Sequence, residues 1–496
     1  MKHILSRARL CVGLVVTITA VPTPAFSQLI SLKTVPVAAG DQFMLFPSRN
    51  LGMGAISIAV DDSVLDPFVN PAKGARIADS HVFAAPMYYS VSNRAGSAGS
   101  LSAGALFGSP KVFGGGMVAL QQLKRGDEFG PVWFGELDIL PSNALRARSA
   151  TNKYGFLTLG TMLPGDVAVG GSLFVADLNG MDGVEHLYSM ASGIEQSGDM
   201  EDLRIGAAKM FEGGRTLEGI ALFHRFDMRH DVTYVDWVLV DSTNWQWDQE
   251  VRRENNLDKT DTWGLHLGYV QPVGTSGWQV GGILTANWKS HPKIPNYEIM
   301  NIPRDPGNST AFDIGVGIAK QAGPTIFGLD IVYEPGSSDT WAEAAEPVAT
   351  VSGDTLQVGE RTVENAFSFS NAFVNMGVAR AVGPAEFQFG LGIRVYDYHL
   401  DQWDHVEEDF RRQDEDWMEW VPSWGARVHL GDLELRYVGR VTTGTGRPGV
   451  AWDGVAVGRA EDFALANDVL LAPSGPLTLQ DVTVLTHQIS VSVPIR

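Results

Sequence analysis

The stretch Trp278-Gln279-Val280-Gly281-Gly282-Ile283-Leu284-Thr285-Ala286-Asn287-Trp288-Lys289 decides the fold. In an extended chain successive side chains point to opposite faces, so Trp278, Val280, Gly282, Leu284, Ala286 and Trp288 share one face. Gln279, Gly281, Thr285, Asn287 and Lys289 stand on the other. Ten residue steps of ~3.3 Å, tilted by roughly 40°, project to about 25 Å, the height of the apolar band of a membrane barrel between its two aromatic girdles. A strand of a soluble sheet has no reason to carry tryptophan at that separation.

The same period recurs along the chain. Ala385, Phe387, Phe389, Leu391, Ile393 and Val395 alternate with Glu386, Gln388, Gly390, Gly392 and Arg394. Trp263, Leu265, Leu267 and Tyr269 do so against Thr262, Gly264, His266 and Gly268, and Phe312, Ile314, Val316 and Ile318 against Asp313, Gly315 and Gly317. Val167 to Val175, Phe327 to Tyr333 and His487 to Ile495 repeat the pattern. A large soluble β-sandwich would also alternate, but its strands usually run to about five or six residues. These run to nine or more and repeat glycine on the polar face, where it relieves crowding inside a narrow lumen. Past the first residues no apolar run is long enough for a membrane helix, so a chain that spans must do so with strands.

The amino terminus carries Lys2, Arg7 and Arg9, an apolar stretch from Leu10 to Ala20, and Ala25-Phe26-Ser27 before Gln28. That order is a secretory signal, expected to be cleaved near Gln28. Cys11, the one cysteine, lies in that stretch, so the exported chain must be stabilised by backbone pairing and burial in place of disulfides. With 37 basic against 57 acidic residues and a formal charge of −20, nucleic acid is excluded as a partner.

Candidate strands lie near 80–92, 98–107, 111–121, 154–163, 166–176, 203–212, 215–225, 230–240, 262–271, 277–289, 311–321, 325–334, 366–380, 384–398, 424–430, 433–441 and 484–495. The fold class read from them is all-β, an antiparallel transmembrane β-barrel of about 14 to 16 strands. Connections alternate between tight turns such as Gly213-Gly214 and Gly431-Asp432 and long loops at 122–153, 178–202, 241–261, 335–364 and 442–483, the asymmetry of short periplasmic turns and long outer loops. The expected domains are a signal peptide over 1–27, an N-terminal hatch or plug segment over 28–78 and the outer-membrane barrel over 79–496.

Within the N-terminal segment stand Leu51-Gly52-Met53-Gly54-Ala55, Ile58-Ala59-Val60-Asp61-Asp62-Ser63 and Asn70-Pro71-Ala72-Lys73-Gly74. Asn70 is a good helix N-cap and Pro71 a good first helical residue. Asp61 and Asp62 are expected to cap a helix beginning near Ser63, in preference to pairing with lumen arginines. A Gly-rich turn, an AVDD segment and an NPA tripeptide just before the first strand resemble the FadL-type outer-membrane transport family for long-chain fatty acids, and equally the related PorV-type barrels. The resemblance covers about 25 residues, Leu51 to Ala75. It implies about 14 strands closed by an N-terminal hatch, with Gly52, Gly54, Asp61, Asp62, Asn70, Pro71 and Ala72 as the gating residues and hydrophobic ligands entering between the outer loops.

Other constellations are weaker. Asp401 to Glu419 holds nine carboxylates beside Trp403, Phe410, Trp417 and Trp420. Without a D-x-[DN]-x-[DN]-G loop it reads as a solvated acidic rim, bridged to surface lipid by divalent ions, and no metal site is expected. Trp237, Trp245 and Trp247, with Trp403 and Trp417, read as an interfacial belt or as a groove that captures ligand. His224, His266 and His487 lie on strands, but no nucleophile elbow, P-loop, HExxH or Rossmann fingerprint accompanies them, so neither an enzyme nor a cofactor is expected. The leading function is passive uptake of hydrophobic, fatty-acid-like molecules through a barrel seated in outer-membrane lipid. The alternative is a PorV-like barrel that binds cargo or a partner protein of a secretion system. A general diffusion porin is disfavoured, since a hatch would obstruct it and its facing charged ladders are not evident.

Overall fold

The computed structural model describes residues 28–34, 36, 38–93, 95–125, 149–184, 193–241, 246–291, 307–344, 346–448, 469–472 and 475–495. The signal-peptide reading therefore lies outside the described residues. Sixteen antiparallel strands form one closed sheet. They are β1 (His81–Ala84 and Met87–Val91), β2 (Gly96–Gly108), β3 (Val112–Arg125), β4 (Ser149–Leu163), β5 (Val167–Leu178), β6 (Gly193–Met210), β7 (Thr216–Asp241) and β8 (Gln246–Val273). There follow β9 (Trp278–His291), β10 (Gly307–Ala322), β11 (Thr325–Glu343), β12 (Arg361–Val382), β13 (Ala385–Asp404), β14 (Asp409–Leu430), β15 (Leu433–Pro448) and β16 (Gly475–Pro494). The two pieces of β1 keep one register across Pro86, pairing with β2 on one side and β16 on the other. That pairing closes the barrel and removes both sheet edges. Sixteen strands is the upper end of the expected range and two more than the resemblance implies. No helix among the described residues is long and apolar enough to cross a membrane.

The wall sorts its side chains as the alternation requires. On β8, Trp263, Leu265 and Leu267 face outward and are more than half exposed, while Thr262 and His266 between them are buried. Phe387 and Phe389 face out where Glu386 and Gln388 face in, and Ile314 and Val316 face out where Asp313 faces in. Trp263 and Trp288 stand directly opposite each other across β8 and β9, with the Phe223 ring 4.8 Å from that of Trp263. At the other end of β9 the Lys320 ammonium lies 4.6 Å from the centre of the Trp278 ring. Tight turns close one end of the barrel. Gly323, Gly383 and Gly431, at φ +59°, +60° and +65°, open two-residue connections of the kind that hairpin twist favours.

The long-loop readings need correction. The candidates at 215–225 and 230–240 are one strand, β7, and most of 241–261 is not loop but the start of β8, paired with β7 from Gln246 onward. Likewise β11 runs on to Glu343, β12 begins at Arg361 with a small Val348–Ala349/Thr355–Leu356 hairpin between them, and β15 and β16 take up both ends of 442–483. Above Phe223 the alternation inverts, with Phe226, Met228, Val232 and Tyr234 buried inside and charged residues between them facing out. Arg225–Asp261, Lys259–Asp227 and Arg229–Asp231 then pair on an outer face bathed by water. A strand that is polar outside and apolar inside keeps its period but reverses the polarity that lipid imposes lower down.

Candidate functional site

The described residues of 28–77 touch inward-facing groups from most of the wall. Near the start, Ile30 N donates to Asn287 Oδ1 (2.8 Å), Lys289 Nζ donates to the Ile30 carbonyl (2.7 Å), and Lys33 pairs with Glu419 (2.8 Å). Asp41 takes a hydrogen bond from Arg440 Nε (3.0 Å), and the backbone around Pro36 and Ala38 pairs with Gly446 of β15. Further along, Gln388 Nε2 donates to the Arg49 carbonyl (2.8 Å), and Ser57 N and Ile58 N donate to Asp330 Oδ2 at 2.6 and 3.0 Å. Buried polar side chains of the wall thus satisfy the backbone of a segment that has almost no regular structure of its own.

Inward glycines make this contact possible. Gly328, Gly377 and Gly390 lie directly opposite one another across β11, β12 and β13. A Cβ on Gly377 would come 2.2 Å from the Met53 carbonyl oxygen, and one on Gly390 would come 2.0 Å from Gly54 N. Gly54 itself adopts φ +73°, and a Cβ on Gly52 would stand 2.9 Å from the backbone of Gly425. The glycines on the polar face therefore seat the segment flush against the strands, a more specific role than relieving crowding.

Asn70 Oδ1 accepts from Ala72 N (3.0 Å), and Pro71 opens the 3₁₀ turn Pro71–Arg76. Asn70 Nδ2 donates to Glu218 Oε2 (2.8 Å), while the other oxygen of Glu218 meets Lys73 Nζ at 3.0 Å. Lys73 also lies 3.5 Å from Asp66, and Ala72 is buried. The two aspartates part company. Asp62 accepts from Val64 N and Leu65 N, but also from Ser48 Oγ, Arg49 N and Asn50 N, so it ties two turns together. Asp61 does not cap: its carboxylate pairs with Arg76 at 2.6 Å, and the helical turn starts only at Asp66. With two adjacent carboxylates, the backbone takes the inward one and leaves the exposed one to a nearby cation.

Trp403 and Trp417 do not share a face. Trp403 is exposed and packs on Phe410, whereas Trp417 points inward and stacks on Tyr396 at 4.9 Å. Trp237 and Trp247 fall on the risen part of the β7–β8 hairpin, and Trp245 lies outside the described residues. The acidic stretch is mostly strand, the β13–β14 hairpin, where Asp401 accepts from Arg412 Nε (2.8 Å). That hydrogen bond holds the Asp401 carboxyl below the usual carboxylate range. No group of three or more His, Cys, Asp or Glu that could hold a metal occurs among the described residues. His266 contacts Thr285 Oγ1 (2.9 Å), His224 lies 3.4 Å from Asp202, and His487 contacts the Tyr437 hydroxyl (2.9 Å).

Sequence reasoning did not single out Glu218, Lys73, Asp330, Arg440 or the buried Arg204, which donates to Asp202 Oδ1 (2.6 Å) and to the Val69 carbonyl (3.0 Å). A charged residue on the inward face, level with the lipid band, was the available signal. It could not say which residue of the N-terminal segment each would meet.

The segment and the wall also share an apolar cluster. Phe43, Phe46 and Phe68 of the N-terminal segment join Tyr154, Phe156, Phe174, Phe226, Phe367 and Phe369 of the wall in one buried cluster. Phe68 sits 4.5 Å from Phe46, 5.1 Å from Phe156 and 5.7 Å from Phe83 between ring centres.

A closed antiparallel barrel with an apolar outer band and aromatic girdles is an outer-membrane β-barrel. No family model and no curated protein matches the chain. Among solved structures it is similar to a Pseudomonas aeruginosa FadL homologue, at 10% identity over 92% of this chain and 100% of that one, with a TM-score of 0.44. It is similar also to the P. putida toluene transporter TodX (10% identity, 90% and 98% covered, TM-score 0.40) and the Ralstonia pickettii toluene transporter TbuX (10%, 90% and 97%, TM-score 0.38).

Proposed function

We propose that the barrel takes up apolar small molecules across the outer membrane passively, with residues 28–78 as a hatch. The observation that supports this best is the character of the interior. Beside buried charged pairs such as Lys33–Glu419, the interior carries a continuous aromatic and aliphatic cluster contributed by both wall and segment. Such a surface gives a hydrocarbon chain or ring a favourable transfer and gives a hydrated ion none.

In this reading solute is gathered at the outer end, where Trp403 and the β7–β8 hairpin stand, passes along the aromatic cluster, and leaves when the segment shifts. The substrate is fatty-acid-like, and no catalytic step is involved. The test is mass spectrometry of lipids and apolar metabolites retained after gentle extraction, comparing wild type with an Asn70→Ala, Pro71→Ala variant. A defined amphiphile held by wild type and depleted in the variant is the expected result. A bare lumen with a co-purifying protein would replace uptake by the secretion-partner reading.

A further inference from the structure

We propose that Gln28 closes on itself to form a pyroglutamate at the amino terminus of the exported chain, and that the Arg204 guanidinium promotes the closure. The inference rests on cleavage of the signal segment before Gln28 and is independent of what the barrel carries. A glutamine at a chain start is chemically special, because its α-amine reaches its own side-chain carbonyl carbon through a five-membered ring. Gln28 is 3% exposed, and Ile30 and Leu32 just after it are 2% exposed each. Two oxygens hold it. Its backbone carbonyl accepts from Asn287 Nδ2 (2.9 Å), and its side-chain Oε1 accepts from Arg204 Nη1 (2.6 Å). A pyroglutamate keeps both oxygens, and neither contact uses the side-chain nitrogen that closure expels.

Arg204 is placed to act on that side-chain carbonyl. It is 2% exposed, and Asp202 fixes its plane by taking Nε at 2.6 Å and Nη2 at 3.2 Å, while Nη1 also reaches the Val69 carbonyl at 3.0 Å. A two-pronged carboxylate leaves the guanidinium little freedom, so Nη1 is aimed before any bond changes. In the closure the α-amine nitrogen bonds to Cδ, negative charge gathers on Oε1 where Nη1 stands to receive it, and the Cδ–Nε2 bond then breaks. The hydrogen lost by the amine leaves with Nε2 as ammonia, so no oxidant, reductant or further reactant is consumed. Burial keeps out the water that would otherwise hydrolyse the amide to a carboxylate.

Closure also removes a charge. An open chain start carries an α-ammonium, and the contacts of Gln28 with described residues include a guanidinium but no carboxylate. Both oxygens of Asp202 are already engaged by Arg204. Burying a cation without a counter-ion is costly, whereas the lactam brings only a neutral N–H. The folded barrel therefore favours the ring over the open start.

The test begins with barrel extracted from outer membranes, whose intact mass should match a chain from Gln28 to Arg496 less one ammonia. Pyroglutamate aminopeptidase, applied after denaturation, should then remove the first residue. For the rate, the same chain is released from a cleavable tag in urea and refolded into vesicles, with heat-modifiable gel mobility as the folding check. Refolded barrel should cyclise about a hundredfold faster than chain kept in urea, and Arg204→Met should remove most of that advantage, the scale of one lost oxyanion donor. Asn287→Ala, which frees the backbone carbonyl but leaves Oε1 on Arg204, should keep most of it. Extracted barrel that begins at another residue, or at an open Gln28, would overturn the pyroglutamate. Equal rates in urea and in the fold would overturn the part given to Arg204, and so would a folded Arg204→Met barrel that cyclises like wild type.

Discussion

The two faces of the barrel wall obey different rules, and β9 shows both within one strand. Outward, Leu284 and Trp288 meet lipid, and each position asks only for apolar surface at the right height. Inward, Gly281, Thr285, Asn287 and Lys289 each answer one partner: Gly281 leaves room for the Ile58 carbonyl, Thr285 meets His266, Asn287 serves Gln28 and Ile30, and Lys289 binds the Ile30 carbonyl. The outer face is governed by a solvent and the inner face by individual contacts. A change outside should therefore cost according to depth, and one inside according to what it touches.

The largest expected effect falls on the outer rule. Leu284→Arg puts a cation between the two tryptophan levels and should lower barrel stability by roughly 2–4 kcal/mol, measured by reversible urea unfolding in vesicles. A cost near zero would mean that this face does not meet lipid. On the inner face, Gly377→Val would drive a side chain into the Met53 backbone and should cost about 1–3 kcal/mol of overpacking. Its distinguishing sign is solute-free conductance, because displacement of the Leu51–Met53 turn opens the lumen while the sheet stays closed. A folded, silent Gly377→Val barrel would show that the glycine seat is dispensable.

Asn70→Ala removes the cap on Ala72 N and the hydrogen bond to Glu218, a loss of about 2 kcal/mol. That is too little to unfold the barrel but enough to speed amide exchange in residues 70–77, which hydrogen-exchange mass spectrometry would localise; exchange spread through the strands would refute the local reading. The smallest effect belongs above the membrane. Arg225→Ala deletes an exposed pair with Asp261 on the risen part of β7, and its unfolding midpoint should match wild type. A measurable loss there would mean that this stretch is buried by something other than water.

The risen hairpins extend the same lesson. β7 keeps one register with β8 from Thr216 up to Leu239, yet its outward side chains change from apolar, such as Leu217, to charged, such as Arg225 and Arg229. The backbone makes the same hydrogen bonds throughout; what changes is whether lipid selects the outer side chain. Sequence pattern therefore located the strands inside the band and broke or shortened their continuation beyond it.

What the sequence determined by itself was the class of fold, the face each side chain takes, and the capping chemistry of Asn70 and Pro71. All three are local, since alternation repeats every two residues and a cap reaches two residues ahead. The strand count was bounded to within two. Only the tertiary structure decided that Glu218 meets Asn70 and Lys73, that Asp61 turns to Arg76, that Trp403 and Trp417 face opposite ways, and that the inward glycines form a seat. Those outcomes join residues up to hundreds of positions apart, such as Lys33 with Glu419. Closing the barrel sets which inward positions share a level, and no pattern of period two carries that information.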